Sequence, residues 1–292
     1  NSNFTVAAQA GDAYINTGEL TIAAGTYNVG TASTNGFFYY AGSTISISGG
    51  NMNIAANLYP MASGTITYTQ TGGTLTVCTV GLTAAQPAFH MTTGSTFNMS
   101  AGSIVCRLAN TGASKYDFDN SAGTRTITGG TLQLGDASSG TAKTFIITGY
   151  IPNLLVTNTS GNHTARWYNF GTENQVLYTT VLQNNTSLDA NTNSSAATYV
   201  GDVTIGTGAT FLAGTNTQTV TGNWANNGTL TPSTGTVTFN GTGTQTITRT
   251  IAGGEMFYNL TTSTSGPLTL ESSSDVIVEN TLDMQAGSYN LN

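Results

Sequence analysis

Residues 64–78 read GTITYTQTGGTLTVC. Apolar side chains fall on every second position: Ile66 and Tyr68, then Leu75 and Val77 after a Gly-Gly break. Period two is the mark of a strand with one face buried. Glycine between two such runs marks a corner, because it reaches backbone angles that other residues resist. The stretch therefore predicts two short strands meeting at a turn. Thr, which is β-branched, suits the outer face of both without any charge.

The same unit recurs along the chain. It reads TGELTIAAGTYNVG at 17–30, GSTISISGGNMNIA at 42–55, GSTFNMSAGSIVC at 94–106 and GTRTITGGTLQLG at 123–135. Starts lie roughly 22 to 30 residues apart, a period that belongs to repeat architectures. A longer repeat lies above it. GTLQLGD (130–136) with YIPNLLVTNTSG (150–161) returns as GTVTFNG (235–241) with MFYNLTTSTSG (256–266). Gly130 then matches Gly235, Leu132 matches Val237, Leu134 matches Phe239, and Asn153-Leu154 matches Asn259-Leu260.

These features predict an all-β chain folded as a right-handed parallel β-helix, or β-solenoid, of about twelve coils. No coil of that kind closes a core alone. Val237 and Phe239 are expected to bury against equivalent residues above and below, while each strand hydrogen-bonds to its neighbours. Residues 1–161 read as β-solenoid coils, and 201–292 as coils continuing the same rod. Residues 162–200 have longer strands and Asn-rich loops, and read as irregular coils or an insertion. Too little Ala, Leu, Glu and Lys is present for a convincing helix.

Composition supports this and excludes much else. Only 7% of the 292 residues are charged, against roughly 25% in an average soluble domain. Hydrophobic residues reach 38%, with 13 Tyr and 11 Phe. Disordered chains are charged and poor in aromatic and β-branched residues, and this one is neither. A net charge of -7 with six Lys plus Arg offers no cationic patch to nucleic acid or to an anionic membrane surface. No run of about 18 apolar residues exists, so no membrane insertion is expected. The chain starts at Asn1 without a leader, and reads as a processed or excised piece.

Two segments carry a family resemblance. NWANNGTLTPSTGTVTFNGTGTQTIT (223–248) and FYNLTTSTSGPLTLESSSDVIVENTLDMQAGSYNLN (257–292) resemble the repeat region of giant secreted β-solenoid surface proteins of Bacteroidetes and related bacteria. GTVTFNG, QTI, FYNL and NTLDMQAG come in that family's usual order. TYTQTGGTLTV and IPNLLVTNTSG extend the resemblance over most of the chain except 162–200. The resemblance implies export, often by a type nine secretion pathway, and exposure at the cell surface in an adhesin, fibre or matrix.

Parallel β-helices also host polysaccharide lyases and hydrolases, which need paired carboxylates and cations. The densest cluster is SKYDFDN (114–120), with Lys115, Asp117 and Asp119. Spacing of two puts both carboxylates on one strand face, which suits an acid–base pair or a weak calcium site. The plainer reading is a solvated loop between coils. Arg107, Arg125, Lys143, Arg166 and Arg249 are scattered. His90 and His163 stand apart from any second ligand at metal spacing, so no metal site, no cofactor and no enzyme are expected.

Three further readings concern the surface. Thr215, Thr217, Thr219 and Thr221, and Thr244, Thr246, Thr248 and Thr250, form alternating rows. Thr arrays on a solenoid order water when the same pair stands in register on many coils; otherwise Thr simply suits an exposed strand. Rings in GFFYY (36–40), Trp167 and Trp224 offer contact to glycans, although alternation sends half of GFFYY into the core. Glycosylation acceptor motifs begin at Asn98, Asn158, Asn162, Asn185, Asn227, Asn240 and Asn259, and also arise by chance in a chain this rich in Asn, Ser and Thr.

Cys78 and Cys106 follow the glycine break of successive units. Coil spacing of about 4.8 Å is compatible with a disulfide. Aligning Leu75 with Ile104, however, levels Cys106 with Val77, so a bond needs a one-residue bulge. At the ends, Phe4 and Val6, and Leu282, Met284, Tyr289 and Leu291, still alternate. The expected partners are therefore neighbouring copies or adjacent repeats, stacked head-to-tail, and surface glycans. The expected function is a non-enzymatic extracellular structural module of a cell-surface fibre, filament or adhesin. A glycan-binding adhesin module is the alternative, with an ice-binding or polysaccharide-active β-helix behind it.

Overall fold

The computed structural model describes residues 11–62, 64–112, 116–168, 173–271 and 275–291. Lys115, Phe4 and Val6 lie outside them. Among the described residues the regular structure is all strand, with no helix. Pairing is parallel, and each strand meets the equivalent strand of the next coil. The fold is a parallel β-solenoid. Contacts divide it into two compact units, Asn1–Pro152 with Thr159–Gly161, and Asn153–Asn158 with Asn162–Asn292.

In the first unit the opening stretch forms one bent strand, Ile66–Val77, rather than two. Pairing simply runs through the corner. On one side the strand meets Ser43–Ile47 and Asn51–Ile54. On the other it meets Thr96–Cys106, with register shifts between Met99 and Ala101 and between Ala101 and Ser103 that mark the bend. Ile45, Tyr68 and Phe97 fall level and are all buried. Leu75 falls level with Ile104, as the sequence alignment requires.

The corner needs glycine for two reasons. Gly73 and Gly102 have φ of 63° and 83°, where a side chain is strained. A Cβ on Gly73 would also lie 2.4 Å from the carbonyl oxygen of Gly50, and one on Gly102 2.5 Å from that of Gly72. The bend of each coil is thus seated on the backbone of the coil before it.

The facing sheet of this unit orders Ala13–Ile15, Phe37–Tyr39, Leu58–Pro60, Phe89–Met91, Tyr116–Asn120 and Thr144–Ile151. Rings fill the space between the sheets. Tyr68 stacks on Phe97 with centroids 5.4 Å apart, and Phe89 on Phe118 at 4.9 Å. Phe89 also stands edge-on to Tyr68 at 5.7 Å and to Phe97 at 6.1 Å. Offset-stacked and edge-to-face rings are the preferred arrangements.

The second unit has three faces. One orders Thr164–Trp167, Ser187–Asp189, Thr210–Leu212 and Thr229–Thr231. The next orders Gln175–Val176, Ala197–Tyr199, Thr217–Val220, Thr236–Phe239, Glu255–Ser263 and Val276–Ala286. The third runs from Asn153–Val156 through Thr180–Leu182, Val203–Ile205, Trp224–Asn226, Gln245–Arg249 and Leu268–Leu270 to Tyr289–Leu291. Residues 162–200 thus contain coil strands, shorter than the sequence suggests and broken by polar turns. Asn185, at φ 62°, makes one such turn, and Asn tolerates that region better than most residues. Val237 and Phe239 are buried, as expected, in a chain of rings that includes Tyr199, Phe211, Trp224 and Phe257.

Candidate functional site

The acidic cluster is the first candidate, and its two carboxylates part company. Pairing of Tyr116–Asn120 with Thr144–Ile151 shifts between Tyr116 and Phe118. That bulge leaves Asp117 fully buried. The Asn110 N–H donates to its Oδ1 at 2.6 Å, and the Ile146 N–H to its Oδ2 at 2.7 Å. Asp119, two residues on, instead lies 3.6 Å from His90 Nε2 and accepts the Ser121 hydroxyl at 2.6 Å. The face-sharing pair read from spacing is therefore corrected, and so is the solvated loop. A single bulge breaks the alternation on which the first rests, and the buried strand Tyr116–Asn120 replaces the second.

Burial pushes the Asp117 carboxyl well above its usual range, against the pull of the Asn110 and Ile146 N–H groups. Burial likewise lowers His90 and raises Asp119, outweighing the attraction between them. Because the folded value of Asp117 is raised, the native state holds a proton that the unfolded chain gives up. The stabilisation is complete below the unfolded value near 3.8 and is lost as pH rises through the folded value. Urea melts of the wild type and Asp117→Asn across acid and neutral pH check this. The wild type is expected to lose stability relative to the variant as pH rises, and parallel curves would contradict it.

Cys78 and Cys106 are both buried and free. Cys106 lies level with Val77, and Cys78 sits one residue past that pair in left-handed backbone at φ 55°. The bulge needed for a disulfide is absent at this point, and the thiols stay unbonded. Cys106 Sγ instead lies 3.7 Å from the carbonyl oxygen of Asp117. Burial, then the Asp117 charge, holds both thiols well above the ordinary value, the opposite of the depressed value that activates a thiol.

A second cluster lies inside the second unit. Glu255 and Asn226 are fully buried. Asn226 Nδ2 donates to Glu255 Oε1 at 3.0 Å and Oε2 at 2.9 Å, and Arg249 Nη1 donates to Oε2 at 3.1 Å. Asn226 Oδ1 accepts the Gly228 N–H at 2.8 Å. Burial raises the Glu255 carboxyl, opposed by Asn226 and Arg249. Sequence reading missed this network. The only signal was a Glu beside alternating apolar residues. Arg107 pairs with Asp136 at 2.7 Å and Arg166 with Asp189 at 2.8 Å, while Arg125 lies 3.6 Å over the Tyr150 ring. Four of the cations that look scattered in sequence, Arg107, Arg125, Arg166 and Arg249, thus have partners within the coils. Among the described residues no three of His, Cys, Asp and Glu gather to hold a metal ion, and no helix is long and apolar enough to cross a membrane.

Outer faces are the third candidate. In the first unit Glu19, Thr44, Thr67, Thr96 and Thr124 stand in one row across five strands. Two residues along, Thr21, Ser46, Thr69, Asn98 and Thr126 form a second row in the same register. The second unit repeats the motif with Thr217 and Thr219, Thr236 and Thr238, and Asn259 and Thr261. The rows proposed from sequence are not level with one another. Thr217 and Thr219 belong to one sheet, whereas Thr246 and Thr248 lie in another, opposite Thr269 and Ala225.

No family model, no curated protein and no solved structure matches the chain. Trp167 and Trp224 are buried, as are Phe37 and Tyr39, so these rings pack the core and do not face a glycan. Tyr14 is 56% exposed and stacks on Phe38 at 5.3 Å. Of the acceptor asparagines, Asn158, Asn162, Asn185 and Asn240 are exposed. Asn98, Asn227 and Asn259 are half-buried. The Asn98 amide points at Thr69 and that of Asn259 donates to Gly235, so a glycan there would displace an existing hydrogen bond.

Proposed function

We propose that the chain is a non-enzymatic structural module of an extracellular cell-surface fibre, filament or adhesin. What supports this best is the interior of stacked rings and aliphatics within each unit. Each coil buries its apolar row only against the coils beside it, so the fold resists local unfolding without needing a ligand. A nearly uncharged Thr-rich surface gives proteases few basic cleavage sites. The resemblance to secreted surface repeats points the same way. Immunogold labelling of the native cells, with electron microscopy of the labelled material, tests the reading. Gold confined to the cell interior would refute it.

Head-to-tail stacking is the partner interaction that fits. Val237, Leu260 and Leu282 form one inward row, and Phe239, Thr262 and Met284 another. Leu260 is fully buried, whereas Leu282 and Met284, on the last strand of the sheet among the described residues, are each 51% exposed. A further coil, from a neighbouring copy or an adjacent repeat, would bury them and pair the open edge. Sedimentation of the chain is expected to show mass rising with concentration. Leu282→Lys with Met284→Lys is expected to return it to monomer with an unchanged circular dichroism spectrum. A wild type that stays monomeric throughout would remove the proposal.

Glycan contact is a second reading, favoured by the exposed Tyr14 ring beside Asp12, whose carboxylate accepts the Tyr14 hydroxyl at 3.1 Å.

A further inference from the structure

We propose that the paired hydroxyl rows on the outer face of the first unit bind the surface of ice. This is independent of the structural role argued above. The rows form a grid and not a single line: Thr44 with Ser46, Thr67 with Thr69, and Thr96 with Asn98 repeat on successive strands in one register. Parallel stacking fixes one repeat of that grid at about 4.8 Å, and a two-residue step along a strand fixes the other at about 6.6 Å. Water molecules joined tetrahedrally at about 2.75 Å place second-neighbour oxygens about 4.5 Å apart. Hydroxyls on consecutive coils therefore stand close to the spacing of alternate oxygens in a water lattice.

The grid is also held still. Ile45, Tyr68 and Phe97, which alternate with it along the same strands, are fully buried. Thr has restricted side-chain torsions, so little freedom is lost when the face meets an ordered layer. Of these six side chains, only Asn98 and Thr69 share a hydrogen bond, a long one at 3.5 Å. The other hydroxyls are left for water, and the Thr methyl groups between them add apolar contact.

Charge selects the occupant. Among the described residues of the rows and the positions alternating with them, the charged side chains are Glu19 at one end and Arg125 at the other. Arg125 is turned onto Tyr150. An ionic group in the grid would hold its own hydration shell and interrupt the lattice, and none is there. An acidic polymer finds no cation to pair with. An extended neutral lattice of water matches the face in charge and in period.

The test uses the full chain. Partition into slowly grown ice and thermal hysteresis are measured for the wild type, for Thr67→Lys with Thr96→Lys, and for the control Thr229→Lys, which lies outside the grid. Wild type and control are expected to enter ice and to depress its growth temperature. The double variant is expected to adsorb about tenfold more weakly or worse, the equivalent of about 1.4 kcal/mol, with an unchanged circular dichroism spectrum. Should it misfold, Thr67→Val with Thr96→Val keeps the branched shape, removes only hydroxyls, and is expected to lose hysteresis as well. Exclusion of the wild type from ice overturns the proposal. So does hysteresis that survives in a folded variant, or retention of the wild type on crystalline cellulose with none on ice.

Discussion

Glu255→Ala lowers the stability of the second unit by about 3–5 kcal/mol, because it removes the carboxylate that balances the buried Arg249 charge and leaves Arg249 Nη1 with the neutral Gly228 carbonyl. Glu255 is fully buried and takes three donated hydrogen bonds, two from Asn226 and one from Arg249. Removing it takes both carboxylate acceptors from the Asn226 amide and the counter-charge from a guanidinium that is only 14% exposed. Replacing the charged pair together, as Glu255→Leu with Arg249→Met, is expected to restore most of the loss, since well-packed apolar residues often equal a buried ion pair. Urea denaturation of the two variants and the wild type measures this. If Glu255→Ala costs under about 1 kcal/mol, the carboxylate is not the pin of these coils.

Phe89→Ala is expected to destabilise the first unit by a similar amount, about 3–5 kcal/mol. The ring stacks on Phe118 and meets the edges of Tyr68 and Phe97, so one deletion removes three ring contacts from a fully buried position. Surrounding strands are held by parallel ladders on both sides and collapse poorly onto the void. Phe89→Leu fills most of the volume and should cost clearly less. Thermal melts of both variants decide it, and equal losses would mean that the ring geometry contributes nothing beyond bulk.

The fold was legible because every level of the sequence pointed one way. Ile66, Tyr68, Leu75 and Val77 alternate, the glycines fall at the corners, and all four apolar side chains are buried. Even the inter-coil register was readable, since Leu75 does lie level with Ile104. The clusters were not legible. Asp117 is buried by a bulge, and a bulge has no period. Its two N–H partners come from residues 7 and 29 positions away. Glu255 and Asn226 are likewise 29 apart. Groups on neighbouring coils meet through a register that sequence fixes only where apolar residues mark it. For the same reason the Thr grid was sought in the wrong rows. Thr217 and Thr246 look equivalent along the chain, yet belong to different sheets.

The corner glycines have a consequence for how such a chain changes its length. The Cβ position of Gly73 is taken by the carbonyl oxygen of Gly50, and that of Gly102 by the carbonyl oxygen of Gly72. A single methyl group has no room there. An in-frame duplication of an entire coil brings its own glycine and its own carbonyl, and presents to each neighbour the surface that neighbour already fits. The gene can therefore lengthen by some two dozen codons at a stroke more readily than it can exchange one glycine for alanine.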